Sequence, residues 1–425
     1  MITIPEIQPI GEFLFPEKEV STLSNGCSLS IIPFGPEEMV RIDCVVGTGP
    51  LYQSHFFVAS FTHKLMREGT LHHTSKEISE MLDFYGASFV SNTMDNHTVF
   101  TLLTLKKHLK VMLDLFYEIL FEPTFPENEF ELMLASERQS FKMNESRVSV
   151  MANRGLKRCV YGENGTSGKA PKEEDYDTLT LDQIRSFYQQ YYVINNCQFF
   201  LSGNIGAEVR EALNARFGSI SLVDGYQKEE PEYVIFPSAE KKLFMPKEDS
   251  VQSAIFVGRR LFNLTHPDFH KVSVLNTILG GYFGSRLMSN IREDKGYTYG
   301  INSILRRTSK EVLSVIATQA ANQYVHPLLE ELYKEMDRLC NELVPKEELE
   351  TVKNYMLGDV LRSADGSFTV VDAYIGMTLE QLDLPKFFHE KTLAIQSVTS
   401  EELLELAKMY YRKEDYYEVI AGKLS

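Results

Sequence analysis

The chain has 425 residues, of which 43% are hydrophobic, and this length suggests two or three domains with sizeable cores. Its formal net charge is −16, which argues against nucleic acid as a partner, because phosphate binding needs clustered lysine and arginine. The five cysteines are widely spaced and contain no Cys-x-x-Cys pair. Neither a disulfide framework nor a thiolate zinc site is therefore indicated.

The first residues, MITIPE, lack the basic segment and apolar run of a secretory signal. No stretch of about 18 apolar residues occurs that could cross a bilayer. We expect a cytoplasmic protein without a membrane span.

The predicted elements do not alternate regularly between strand and helix. Strands are predicted at 27–33, 41–47, 98–105, 198–201, 253–258 and 312–318. Helices are predicted at 57–68, 76–84, 109–121, 126–144, 268–279, 324–341 and 346–363. Runs of strands beside long helices indicate an α+β fold, with helices packed on one face of a mainly antiparallel sheet.

The helix predicted at 57–68 carries Ser60, His63 and Lys64 on one face, because positions i, i+3 and i+4 share a face. A hydrolytic zinc site needs about three protein ligands and an open position for water. Serine is a poor neutral ligand, and the ammonium of Lys64 would repel a metal ion. The residues of this helix therefore predict no zinc site.

Four histidines lie close together along the chain: His55, His63, His72 and His73. The first two are eight residues apart and could share a helix face. No further Glu or His at helical spacing completes a ligand set, so hydrogen-bonded histidines are the simpler interpretation. Metal binding through these four residues is left open.

The C-terminal end of the chain repeats its middle. In each copy a threonine before acidic or amide residues predicts a capped helix, which reaches a Tyr-Tyr pair and is followed by a short apolar strand ending in glycine. The matching positions are separated by 219 residues throughout: Thr180 and Thr399, Tyr191 and Tyr410, Tyr192 and Tyr411, Gly203 and Gly422. This register predicts a duplicated domain.

A second echo supports the duplication, because Gly86 and Gly296 each precede a strand-like run. We expect a first domain at 1–220 and a second at 243–425. The stretch 221–242 between them is charged and contains proline, a composition that suits an exposed linker.

The second half contains a glycine-rich stretch followed by an arginine and a tyrosine. Gly280, Gly281 and Gly284 lack the spacing and the Lys-Ser/Thr ending of a phosphate loop, so close backbone packing or a bendable substrate loop is the better interpretation. Arg292 and Tyr299 follow, seven residues apart. From composition alone they would be a surface arginine and a packed tyrosine.

Taken together, the repeat, the helix before Gly69-Thr70 and the block from Leu279 to Tyr299 resemble the pitrilysin/insulinase (inverzincin) zinc peptidases over essentially the whole chain. The small two-domain type is closest, similar to mitochondrial processing peptidase subunits and their bacterial homologues. This resemblance implies a His-x-x-Glu-His run that is separated from Gly-Thr by four residues.

In that frame Ser60 stands at the first His, His63 at the Glu and Lys64 at the second His. The family's third ligand, a Glu on a later helix, falls near Ser140, with Glu137 one helical turn away. The metal site is thus degenerate, and no metal is expected in this chain.

The resemblance also implies a role for Arg292 and Tyr299, which fall on a pair that holds the substrate backbone near the metal. A guanidinium and a phenol can donate to a peptide carbonyl and stabilise an oxyanion. The implied function is a non-catalytic subunit of a metallopeptidase. It would bind peptides and pair with a homologous subunit that carries His-x-x-Glu-His and the zinc.

Two alternatives remain. One is a structural or peptide-binding protein without a peptidase role, including a homodimer, like the core subunits that this family supplies to respiratory complexes. The other is an active zinc endopeptidase with an unorthodox site, which would hold stoichiometric metal and be inhibited by chelators.

Overall fold

A computed structural model of the protein describes residues 15–33, 38–308 and 310–424. The strands in these residues are β1 Glu19–Thr22, β2 Ser28–Pro33, β3 Met39–Val46, β4 Ser88–Thr93, β5 Thr98–Leu105, β6 Cys197–Gly203, β7 Lys242–Pro246, β8 Gln252–Arg260, β9 Thr298–Arg307, β10 Val312–Ala321 and β11 Tyr417–Gly422. The first six residues, on which the expectation of no leader rests, lie outside the described part.

The α-helices in the same residues are α1 Val58–Leu65, α2 Ser75–Tyr85, α3 Leu109–Phe121, α4 Glu127–Glu145, α5 Val148–Tyr161, α6 Leu181–Tyr191, α7 Ala207–Phe217, α8 Phe269–Asn276, α9 Val325–Asn341, α10 Lys346–Ser363, α11 Ser367–Leu379, α12 Leu384–Ser397 and α13 Ser400–Tyr410. None of the described helices is both long and apolar enough to cross a membrane.

The strands form two mixed, mainly antiparallel sheets. The order in the first is β1-β2-β6-β3-β5-β4, and in the second it is β7-β11-β8-β10-β9. Each sheet contains one parallel pair, β2 with β6 and β7 with β11. With β1 set aside, the two sheets have the same strand order and the same directions. The predicted α+β fold with two homologous halves in tandem is confirmed.

The repeat at an interval of 219 residues is visible in local geometry. Thr180 and Thr399 each cap a helix with a complete capping box, at the starts of α6 and α13. The strands that follow end at Gly203 (φ 107°) and Gly422 (φ 143°), a backbone region that favours glycine. Glycine is also required for space, since a Cβ would lie 2.3 Å from the Met39 oxygen in the first copy.

Each sheet packs a layer of helices against one face. In β8 the side chains of Ile255 and Val257 enter the core formed with α8, α9, α10 and α13. In β3, Ile42 and Cys44 enter the corresponding core formed with α1, α2, α3 and α7. This arrangement follows from the period of two in a strand, which places alternate residues on one face.

The opposite face of each sheet is also covered, by one helix from the other half of the chain. Ala254 and Phe256 of β8 pack against α5, which precedes the linker. Phe200 of β6 and Val45 of β3 pack against α11, which lies near the C-terminal end. The two halves therefore exchange one helix each, and the linker does not separate two independent cores.

A polar contact accompanies the exchange on the first sheet. Arg41 of β3 pairs with the fully buried Asp43, with Nε to Oδ2 at 2.8 Å, and reaches Asp372 of α11 at 2.5 Å. Its Nη1 also donates to the Phe368 carbonyl oxygen at 3.2 Å. One guanidinium thus ties a strand of the first half to a helix of the second.

Candidate functional site

The helix predicted to stand at the family's metal position is α1, and its three key side chains have local partners. The hydroxyl of Ser60 donates to the Phe57 carbonyl oxygen at 3.1 Å. His63 is buried, and its Nδ1 lies 2.9 Å from the Ser91 hydroxyl of β4. Burial lowers the pKa of His63 to about 4, and the charge of Lys64 acts in the same direction. His63 is therefore neutral at pH 7.

Lys64 forms an ion pair with Glu137 of α4, with Nζ 2.6 Å from Oε1. Each side chain keeps a little over a third of its surface exposed, 38% for the lysine and 35% for the glutamate. Ser140, the other position considered for the third ligand, is half-buried one turn further along α4. The ammonium of Lys64 thus pairs with the Glu137 carboxylate, which faces α1.

These side chains do not fit a zinc ion. Ser60 is engaged with backbone, His63 with Ser91, and Lys64 brings a positive charge into contact with Glu137. Zinc in proteins is held by thiolate, imidazole and carboxylate groups. Within the described residues no group of three or more His, Cys, Asp and Glu side chains could hold a metal ion.

The remaining histidines of the cluster go to separate partners. His55 Nε2 lies 2.8 Å from the Thr178 hydroxyl, His72 lies 3.3 Å from Glu122, and His73 lies 2.7 Å from Glu118. They do not converge on one point.

Arg292 and Tyr299 are brought into direct contact. Arg292 lies in a π-helical turn, Met288–Asp294, and its Nε donates to the backbone oxygen of Tyr299 at 3.0 Å. Its Nη1 pairs with Glu293, and the guanidinium lies 4.7 Å from the ring centre of Phe283. These contacts fix the guanidinium beside the first residues of β9.

Tyr299 itself points into solvent, with 93% of its surface exposed. It lies at the start of β9, the edge strand, where the register with β10 shifts between Thr318 and Ala320. The neighbouring Thr298 anchors this irregular end, because its hydroxyl lies 2.9 Å from that of Thr318. A bulge of this kind re-aims a side chain at the edge of a sheet.

An open cavity of about 440 Å³ lies beside Tyr299. Gln252, Phe256 and Gln319 of the second sheet line it, and Ser149 of the exchanged helix α5 closes one side. The exposed phenol therefore stands at the rim of a space large enough for one or two amino-acid side chains.

The glycines of the predicted substrate loop differ in their surroundings. A Cβ on Gly280 would lie 2.7 Å from the backbone nitrogen of Ser303, so this glycine permits close packing on β9. A Cβ on Gly281 would lie 3.2 Å from the Thr277 hydroxyl oxygen, and one on Gly284 would lie 2.9 Å from the Tyr282 ring. Close approach accounts for Gly280, and the substrate role of all three stays a prediction.

Two supporting residues were not found by sequence analysis. Ser91 holds His63, and Phe283 packs under Arg292. Neither residue belongs to a sequence motif. The contact of Ser91 joins α1 to β4, and the contact of Phe283 depends on the shape of the turn before Arg292. The nearest sequence signal was the position of Phe283 inside the glycine-rich stretch.

Two sequence profiles of one peptidase family match the chain. Residues 35–164 match the profile described as insulinase (peptidase family M16), and residues 178–356 match the one described as peptidase M16 inactive domain. The chain belongs to the insulinase family, peptidase family M16. The description of the second profile supports a member of the inactive type, in keeping with the prediction that Ser60 and Lys64 stand at two ligand positions.

Some M16 relatives of this chain are named zinc proteases, and others are named non-peptidase homologues. An uncharacterised zinc protease YmxG of Bacillus subtilis is 25% identical over 355 residues, covering 81% of this chain and 84% of that protein. A protein of Helicobacter pylori named non-peptidase homolog YmxG is 22% identical, covering 86% and 84%.

Solved M16 structures share the fold. A peptidase M16 inactive domain from Pseudomonas fluorescens has a TM-score of 0.86 at 21% identity, covering 96% of this chain and 98% of that one. The periplasmic protease PqqL of Escherichia coli has a TM-score of 0.77 at 15% identity, covering 99% of this chain and 49% of PqqL. The likeness to PqqL extends over about half of that protein.

Proposed function

We propose that this chain is the zinc-less subunit of a two-chain M16 metallopeptidase. Its partner would be a homologous subunit that carries His-x-x-Glu-His and holds the zinc, and peptides would be the substrate. The observation that carries the proposal is the contrast between two sites. Arg292 is held against the backbone of an exposed Tyr299, whereas the ligand positions of α1 are occupied by Ser60, His63 and Lys64.

The contribution of this chain would be hydrogen-bond donation to the substrate. A guanidinium has five N–H donors, and the contacts of Arg292 use Nε and Nη1, which leaves Nη2 without a hydrogen bond among the described residues. The exposed phenol of Tyr299 supplies a second donor. Two positioned donors can hold a peptide carbonyl and stabilise the negative charge that develops on its oxygen.

The pairing of two such chains has support from a relative's size. PqqL is matched over 49% of its length, so a single PqqL chain has room for two units of this kind. The first half of PqqL has also been solved by itself, and its structure has a TM-score of 0.73 with this chain. We infer a comparable pair made of two separate chains. A cytoplasmic location remains our prediction, although PqqL itself is described as periplasmic.

The first experiment is purification of the tagged chain from its native host, with its partners identified and zinc quantified. We expect a near-stoichiometric partner of similar size that carries His-x-x-Glu-His and the zinc. Zinc bound to the chain alone would contradict the ligand argument made for α1.

The second experiment uses the reconstituted pair. Arg292→Ala and Tyr299→Phe should each lower peptide turnover by about ten-fold or more, because each removes a positioned donor. Arg362→Ala and Tyr85→Phe, which remove the same groups from α10 and α2, serve as matched controls and should leave turnover unchanged. Unchanged turnover in both test variants would remove the Arg/Tyr role.

A second candidate function is a structural or peptide-binding protein without a peptidase role, and the name of the Helicobacter pylori relative favours it. It predicts that the chain purifies alone or as a homodimer, without zinc. It also predicts that Arg292→Ala leaves assembly unchanged.

A further inference from the structure

A second cavity, of about 370 Å³, lies next to the one at Tyr299. It is enclosed by α5, by the loop 168–171 and by the second sheet. Ser149 and Phe256 line both cavities, so the two spaces are neighbours on one surface. A ligand lying past Tyr299 could extend into the second cavity.

The wall of this second cavity is positively charged. Arg154, Lys157, Lys169 and Arg306 line it. Arg154 pairs with Glu145, and Arg306 Nη1 donates to the neutral amide oxygen of Asn153 at 2.9 Å.

The other three cations have little compensation. Within the described part of the chain, no carboxylate lies at ion-pair distance from Lys157, Lys169 or Arg306, although 31 pairs of a carboxylate with Lys or Arg occur elsewhere in it. Desolvation lowers the pKa of Lys157; nearby Asp95 opposes this shift, and the charges of Arg306 and Arg154 add to it. The charges of Lys157, Arg154 and Arg306 therefore lie close enough to repel one another.

This concentration of positive charge runs against the molecule as a whole, whose net charge is −16. Unpaired like charges beside a partly enclosed space are electrostatically unfavourable, and an anion placed among them relieves the repulsion. The neighbouring Asn153 amide and Ser149 hydroxyl add hydrogen-bonding groups of the kind that surround bound carboxylates.

We propose that the cavity between α5 and the loop 168–171 binds a carboxylate of the peptide that lies past Tyr299. Lys157 and Arg306 are the main contacts, and the substrates are acidic peptides. This inference rests on the proposed function for the presence of a peptide. The carboxylate comes from an Asp or Glu side chain or from the peptide's C-terminus, two sources with the same chemistry.

The test is fluorescence anisotropy of labelled eight-residue peptides with the full chain. One peptide carries two central glutamates and an amidated end, the second carries glutamines and an amidated end, and the third carries glutamines and a free carboxyl end. We expect the glutamate peptide to bind about ten-fold more tightly than the amidated glutamine peptide, a difference that shrinks as salt is raised. Tight binding of the third peptide instead would assign the site to the C-terminal carboxylate.

The variants locate the effect. Lys157→Gln and Arg306→Gln should each weaken binding of the carboxylate-bearing peptide by about ten-fold or more, because each removes a charge-assisted hydrogen bond. Lys107→Gln removes an exposed charge that has no ion pair among the described residues and lies beside β5 of the first sheet, and it should leave peptide binding unchanged.

The failure of this inference is distinguishable from failure of the proposed function. Tyr299→Ala should weaken binding of all three peptides equally. If it does so while the peptides bind alike and the Lys157 and Arg306 variants have no effect, the carboxylate site is wrong and peptide binding stands. Inorganic phosphate can be added as a competitor. If phosphate binds but displaces none of the three peptides, the carboxylate site is also wrong.

Discussion

Lys64 and Glu137 show how a single residue changes what α1 can do. A glutamate facing this helix would be left without a counter-charge if the position of Lys64 were neutral, and the ammonium supplies that charge at 2.6 Å. Because both side chains are more than a third exposed, solvent screens the pair, and its contribution to stability is about 0–1 kcal/mol. The pair therefore matters more for excluding a metal than for holding α1 and α4 together.

Two substitutions should restore metal binding. In Ser60→His/Lys64→His, two imidazoles would share one face of α1 opposite the Glu137 carboxylate, giving the three ligands that zinc requires. We expect about one zinc ion per chain after dialysis, measured by elemental analysis, and none in the unaltered chain.

The same background separates the two candidates for the third ligand. Adding Glu137→Gln should weaken zinc binding by about ten-fold or more, because it removes the carboxylate, whereas adding Ser140→Ala should leave it unchanged. The reverse result would assign the third position to Ser140.

At the scale of elements, the close packing of α5 on the second sheet depends on a glycine. A Cβ on Gly155 would lie 2.8 Å from both the Met245 sulfur of β7 and the Val419 Cγ1 of β11. The backbone of α5 therefore approaches the second sheet more closely at Gly155 than a residue with a side chain would allow.

Gly155→Ala should lower the free energy of unfolding by about 1–3 kcal/mol, the usual cost of overpacking, although alanine is the better helix former. Gly358→Ala in α10 is the matched control. No atom lies within 4 Å of its added methyl, and it should raise stability by about 0.5–1 kcal/mol. Urea unfolding of both variants is the measurement, and stabilisation by Gly155→Ala would contradict the packing of α5 described above.

The elements that could be predicted from sequence are those with local signals. The boxes at Thr180 and Thr399 depend on residues three positions apart, and the alternation in β5 lies within one strand. The helix α5 has no comparable signal, because its partners lie about a hundred or more residues away. In the same way, the charge of Lys64 was enough to predict that this residue opposes a metal ion. Only the fold shows that its partner on α4 is Glu137 and not Ser140.

At the scale of the molecule, the exchange of α5 and α11 makes each half part of the other's structure. The predicted boundaries 1–220 and 243–425, which we retain as a proposal, leave each sheet with one apolar face bare. For the second sheet this face includes Phe256 and Val419, and for the first it includes Ile32, Val45 and Phe200.

Fragments 1–220 and 243–425 should therefore fail to fold alone and should form a one-to-one complex when co-expressed. Size-exclusion chromatography with light scattering measures the association, and binding of a hydrophobic dye measures the exposed faces. The control is the full chain cut by a protease at a site inserted within 224–230, which should stay associated. A monomeric fragment with a cooperative unfolding transition would contradict the mutual dependence of the halves.

The exchange of helices also sets an order of events during synthesis on the ribosome. The first sheet is complete when β6 ends at Gly203, but α11 ends at Leu379, 176 residues later (379 − 203). At about 5–20 residues per second, the nascent sheet waits about 10 to 35 s for the helix that covers its second face. During that interval Phe200 and its neighbours are exposed to other nascent chains, so production of the protein should depend on chaperones that bind before translation ends.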